Sequence, residues 1–150
     1  MEIIKRKTDY GLRALARLAV QPRGELLLAK QLSEEEGIPA NFLHKILQEL
    51  HQGGLVRAHR GRGGGFSLAK SPSEITIRQV MEILQGPVAI NRCLMGENAC
   101  PRQEVCELRE IWVALQSQLL HFFERVTLRQ LAGLMTGSAA PDNGGKGDGR

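Results

Sequence analysis

Three cysteines, Cys93, Cys100 and Cys106, fall within fourteen residues of a 150-residue chain that contains no others. Their spacing, C-x6-C-x5-C, gathers three thiols on one short segment. Thiolates are soft donors suited to an iron-sulfur cluster or to zinc, and three of them leave one coordination position for another group. The plain alternative is a set of three small buried hydrophobes. A disulfide framework is disfavoured, because an odd count leaves one thiol over. A thiol oxidoreductase would need C-x-x-C, which is absent, and neither a Ser-His-Asp set nor paired carboxylates surround the cysteines.

The second chemistry-bearing feature is charge. Net charge is +4, and residues 1–70 hold 12 Lys and Arg against 7 Asp and Glu. Between Leu50 and Ser73 there is no acidic residue, while Arg57, Arg60, Arg62 and Lys70 are basic and His51 and His59 add partial charge. This is a local positive field of the kind that attracts a polyanion, although a solvated basic face has the same composition. The glycines at 61, 63, 64 and 65 do not match a phosphate-binding GxGxxG, and no GK[ST] follows, so nucleotide enzymes are disfavoured.

The elements that would position these groups are mostly helical. Aromatic residues make up only 4% of the chain and Leu, Ile, Val and Ala dominate its apolar content, which disfavours an all-β fold. Leu12, Leu15, Ala16 and Ala19 form an i, i+3, i+4, i+7 stripe behind Thr8 and Asp9. A second helix is expected over residues 26–37. A third is expected to open at Asn41 as its cap and to run to the glycines at 53 and 54. Two short helices with a tight turn, followed by strand, glycine-rich loop and strand, read as a winged helix-turn-helix. A further helix is expected from Thr76 to Gly86. Leu108, Trp112, Leu115, Leu119, Phe122 and Val126 then recur at 3.5-residue spacing, a coiled-coil-like seam that predicts a homodimer. No internal repeat is visible.

The expected organisation is therefore residues 1–86 as winged helix-turn-helix, 87–107 as cysteine loop, 108–136 as dimerisation helix and C-terminal helix, and 137–150 as a disordered polar tail. The fold class is mainly α with a small β-wing. No apolar run approaches the roughly 18 residues of a membrane span, and the N-terminus lacks the order of a signal peptide. The sequence is read as that of a cytoplasmic protein without membrane contact.

TDYGLRAL in the first helix, IPANFLHKIL in the third, RGRGGGF in the wing, ITIRQVMEI after it, the cysteine spacing and the ERVTLRQL ending together resemble the Rrf-type family of bacterial winged-helix regulators. The resemblance covers roughly residues 1–136. It implies a non-enzymatic transcription factor, a homodimer on a pseudo-palindromic operator in double-stranded DNA, whose affinity is controlled by an iron-sulfur cluster sensing redox state, nitric oxide or iron and cluster supply. By position it makes Asn41, His44 and Lys45 base or phosphate contacts and Arg60 the wing arginine of the minor groove; Arg57 and Arg62 join the expected DNA-binding residues on their charge. Arg62 stands where many members carry proline. Cluster-binding members of one type carry histidine three residues after the third cysteine, where this chain has Arg109; a 4Fe-4S cluster is thus favoured over 2Fe-2S. Members of the nitric-oxide-sensing type use an N-terminal aspartate of the partner subunit, which puts Asp9 beside Cys93, Cys100 and Cys106 as the expected ligands. A structural zinc is the alternative to the cluster.

Overall fold

The amphipathic stripe near the N-terminus folds as α1 (Arg6–Ala19), with Ala14, Leu15 and Leu18 buried. The computed structural model describes residues 2–22 and 24–137. The other elements are α2 (Ala29–Glu36), α3 (Ala40–Gln52), β1 (Val56–His59), β2 (Gly65–Leu68), α4 (Ile77–Gln85), α5 (Leu108–Arg125) and α6 (Leu128–Thr136). The fold is thus mainly helical with one small antiparallel sheet, in which Val56 faces Leu68 and His59 faces Gly65. The polar tail expected over 137–150 falls almost wholly on residues outside those described.

One apolar core joins α1 to Leu32 of α2, to Leu43, Ile46, Leu47 and Leu50 of α3, to Val80 and Leu84 of α4 and to Leu128 of α6. The helices approach closely at Gly11, where a Cβ would stand 2.3 Å from Leu84 Cδ1 and 3.4 Å from Ile46 Cγ2. At the start of α1 the fully buried Thr8 hydroxyl donates to Gln85 Oε1 at 2.6 Å. The Gln85 amide in turn donates to the Ile3 carbonyl at 2.9 Å. The C-terminus of α4 therefore fixes the entry of α1.

Three expectations need correction. The second helix begins at Ala29, not at residue 26, because Leu27 is extended and pairs with Phe66 of β2, exchanging hydrogen bonds of 3.1 and 2.8 Å. Pro39, not Asn41, stands at the N-cap of α3, and Asn41 is the second residue inside the helix. The apolar seam on α5 divides into two rows. Trp112, Leu119 and Val126 are half-buried and Phe123 is buried, and Leu119, Phe123 and Val126 pack with Ile77 and Met81 of α4. Leu108, Ile111, Leu115 and Phe122 form the other row and are 49–58% exposed.

Residues 75–77 and 126–128 pair in extended form, with Leu128 N–H donating to the Ile75 carbonyl at 2.8 Å and Ile77 N–H to that of Val126 at 3.0 Å. Thr76 and Thr127 face each other there, and each opens a helix with a capping box closed by a glutamine three residues on. TIRQ and TLRQ thus make the same kind of helix start on the two sides of this pairing. Arg78 further ties α4 to α5, donating to Glu82 at 2.9 Å and Glu124 at 3.3 Å. The Glu82 hydrogen bond, more than the charge of either carboxylate, holds Arg78 above its ordinary pKa.

Replacing Gln85 by Leu would strand the buried Thr8 hydroxyl without an acceptor. The expected loss is about 1–3 kcal/mol of unfolding free energy, measured by urea titration.

Candidate functional site

Burial of Leu43, Ile46, Leu47 and Leu50 turns His44, Gln48 and His51, at i, i+4 and i+7, to the opposite face of α3. This face and the wing enclose a groove of about 660 Å³, lined among others by Leu28, His44, Gln48, His51, His59 and Arg60. Among the described residues no acidic side chain lines it. The wing holds its shape through a glycine turn in which a Cβ on Gly64 would stand 2.3 Å from the His59 carbonyl oxygen. His51 Nδ1 donates to the Val56 carbonyl at 3.1 Å, and His59 Nε2 bonds Ser67 Oγ at 2.9 Å, so both rings are oriented by the wing strands.

On the other side of the same helix start, Asn41 and Lys45 line a notch of about 360 Å³ with Arg6, Tyr10 and Phe42. Tyr10 and Phe42 meet edge to face, with ring centroids 5.7 Å apart. Asn41, His44 and Lys45 thus share one exposed helix start but face two hollows. Arg60 joins His44 in the groove. Arg57 is not in it: it lines a separate hollow with Lys70 beside the ends of α1 and β2. Arg62 is exposed on the wing turn. Arg6, Tyr10 and Gln48 were missed by sequence reasoning; the +4 step from His44 was the available signal for Gln48.

The cysteine segment has little regular structure. Cys93 is buried in a 3-10 turn over Arg92–Leu94, capped by Asn91, whose side chain accepts from Arg92 N–H at 2.7 Å. Cys100 and Cys106 are half-buried, and all three thiols are free of disulfides. The backbone carbonyls of Cys100 and Cys106 accept from Gln103 and Arg109 N–H, each at 3.1 Å. Gln103 Oε1 and Arg109 Nε are themselves buried without partners.

Among the described residues no three His, Cys, Asp or Glu side chains lie close enough together to hold a metal ion. The donor types suit an iron-sulfur cluster, whereas gathering them requires the 93–106 segment to close further. Asp9 sits in the first turn of α1, 58% exposed, 3.8 Å from Arg13. Arg13 also bonds the Glu36 carboxylate at 3.4 Å and caps the Tyr10 ring at 5.6 Å. The structure therefore does not bring Asp9 to the cysteines of its own chain.

A winged helix-turn-helix with an acid-free groove at its reading helix defines a DNA-binding regulator of transcription. Residues 4–133 match the family model Rrf2, iron-dependent transcriptional regulator, and the chain belongs to that family. It is 36% identical over 125 residues to the HTH-type transcriptional regulator NsrR of Halalkalibacterium halodurans, covering 83% of this chain and 86% of that one. NsrR of Bacillus subtilis gives the same identity and the same coverage. Among solved structures, CymR, the global cysteine regulator of B. subtilis, superposes with a TM-score of 0.75 at 25% identity, covering 89% of this chain and 98% of that one. IscR of T. potens shares the fold with a TM-score of 0.72 at 20% identity, covering 91% of each chain. No helix among the described residues is long and apolar enough to cross a membrane.

Substituting Arg60 by Ala is expected to weaken binding to duplex DNA by about 1–3 kcal/mol per half-site. Fluorescence anisotropy on a labelled duplex measures this, and an unchanged affinity removes Arg60 from the interface.

Proposed function

We propose that this regulator is a homodimer whose affinity for a pseudo-palindromic operator is set by an iron-sulfur cluster held by Cys93, Cys100 and Cys106, with Asp9 of the partner subunit as fourth ligand. The observation that carries the reading is the set of three free thiols on one short segment at the foot of α5, in a chain related to NsrR regulators. Asp9 is exposed at the start of α1, where a second subunit has access to it. Its carboxylate is a hard, weakly matched ligand beside three thiolates. Such a ligand is the one that an incoming small molecule displaces most easily. When bound, the cluster supplies a redox-active group that also reacts with small diatomic molecules.

The protein's own residues supply the remainder. Asn41 and Lys45 at the head of α3 contact phosphates and base edges, His44 faces the wing, and Arg60 enters the adjacent minor groove with Arg62 beside it and Arg57 toward the flanking phosphates. The exposed row Leu108, Ile111, Leu115 and Phe122 is the contact for the second copy. A partner-donated Asp9 links the state of the cysteine segment to the spacing of the two reading heads, which gives the coupling between sites a physical contact.

A second reading, a winged-helix regulator with structural zinc or no metal, draws on the absence of a converged ligand group among the described residues. Anaerobic purification followed by iron and sulfide quantification and a visible spectrum separates the two. The cluster reading expects brown protein with iron and sulfide in equal amounts, and loss of both in Cys93→Ala, Cys100→Ala and Cys106→Ala. Colourless protein, with or without zinc, supports the alternative. Asp9→Ala retains three thiolates and is expected to assemble a more labile cluster with an altered spectrum.

Leu115→Asp would put an unpaired carboxylate in the middle of the exposed row, and sedimentation should report monomer. A folded, dimeric variant would refute this contact.

A further inference from the structure

The chain has four histidines, and three of them, His44, His51 and His59, line the one groove between α3 and the wing. We propose that these three imidazoles form with Arg60 a phosphate-binding site that is fully charged only when protonated, so that duplex DNA binding takes up protons and weakens as pH rises. The proposal rests on the assignment of α3 and the wing as the DNA face, and adds to it a ligand chemistry and a linkage.

The geometry leaves each ring a nitrogen to offer. His51 commits Nδ1 to the Val56 carbonyl, so Nε2 is its open atom. His59 commits Nε2 to Ser67 Oγ, so Nδ1 is open. His44 has no hydrogen-bond partner among the described residues and is exposed at the head of the groove. In a neutral imidazole one nitrogen is a lone pair, which repels a phosphate oxygen. Protonation turns that nitrogen into a charged donor. His51 Nε2 changes in this way because the Val56 carbonyl already fixes the proton on Nδ1.

Among the described residues no carboxylate lines the groove. Leu28 and Ala29 form the α2 side of the groove, and the nearby charges of that helix, Lys30 and Glu34, lie 3.9 Å from each other. On α3 the neighbouring charges are Lys45 and Glu49, and Glu49 is held by Lys7 at 2.6 Å. β1 contributes Arg57, which lines another hollow, and the wing turn contributes Arg60 and Arg62. β2, with sequence GFSL, carries no titratable side chain. A phosphate entering the groove therefore meets positive or neutral groups alone, and its charge favours the protonated form of all three rings. Since imidazole titrates between about pH 5 and pH 8, the affinity added by charged rings is complete at the acid end of that range and is lost as pH rises through it.

The test is fluorescence anisotropy with sheared mixed-sequence duplex DNA at constant ionic strength. The parent protein should lose at least about tenfold in affinity from about pH 6 to about pH 8. The His44→Gln, His51→Gln, His59→Gln triple variant should show a flat profile across the same pH range, with circular dichroism verifying its fold. His121→Gln, on α5, should keep the parent slope. Calorimetry of the parent in two buffers of different ionisation enthalpy reads proton uptake directly, without any substitution. A flat parent profile, equal heats in the two buffers, or a triple variant that keeps its slope overturns the proton linkage while leaving DNA binding in place. No DNA binding at any pH overturns the DNA face itself.

Discussion

Gly11 is the point at which α1 passes against both α3 and α4, and any side chain there would displace Leu84 and press on Ile46. The closeness of this crossing decides how far the reading helix stands from the rest of the body. α3 is set by the packing of Leu43, Ile46, Leu47 and Leu50 against α1, so its polar face has no freedom to rotate independently. The wing depends on the same packing, because Leu27, just past α1, pairs with Phe66 of β2. α1 is therefore a structural hub by packing. Its N-terminal turn, fixed through Thr8 and Gln85, carries Asp9 on its outer side.

This arrangement separates two kinds of chemistry along one chain. The first half presents cations and imidazoles. The second half presents thiols and a long apolar row. α5 joins them: one face lies on Met81 and Ile77 of α4, the other is bare, and the cysteine segment ends where the helix begins. A group bound at that segment would act on the helix that carries this bare row, and through α4 on the reading head.

The helix order and the wing were legible in the sequence because each is encoded locally. The spacing of Leu43, Ile46, Leu47 and Leu50 marks the buried face of α3, and the glycine run between two short apolar stretches marks a hairpin. Errors arose where a distant partner decides the outcome. The run Leu26–Leu28 looks helical until Phe66 pairs with Leu27. Trp112 and Leu115 look like one seam, yet burial against the chain's own α4 takes one row and leaves its neighbour bare. Pro39 displaced Asn41 from the cap because its own extended backbone, at φ −54° and ψ 130°, makes the turn into the helix. For the site, Cys93, Cys100 and Cys106 were legible as donors, whereas their mutual placement depends on a segment with almost no repeating backbone structure. The histidine groove was visible in sequence as partial charge alone, since its walls come from α3 and β1.

The reciprocal backbone pair between residues 75–77 and 126–128 pins α5 at its C-terminal end, while its other end carries the cysteine segment. Eighteen residues of helix measure about 27 Å, so α5 would act as a lever on any rotation about a hinge at Val126, with Cys106 at its far end. A swing of about 5° at the hinge moves the far end by about 2 Å, close to the length of a metal-sulfur bond. Read in reverse, the lever has a mechanical disadvantage: an ångström-scale rearrangement among the cysteines reaches the hinge as a rotation of a few degrees. That small angle would be delivered at Thr76, the N-cap of the helix whose Leu84 rests against α1.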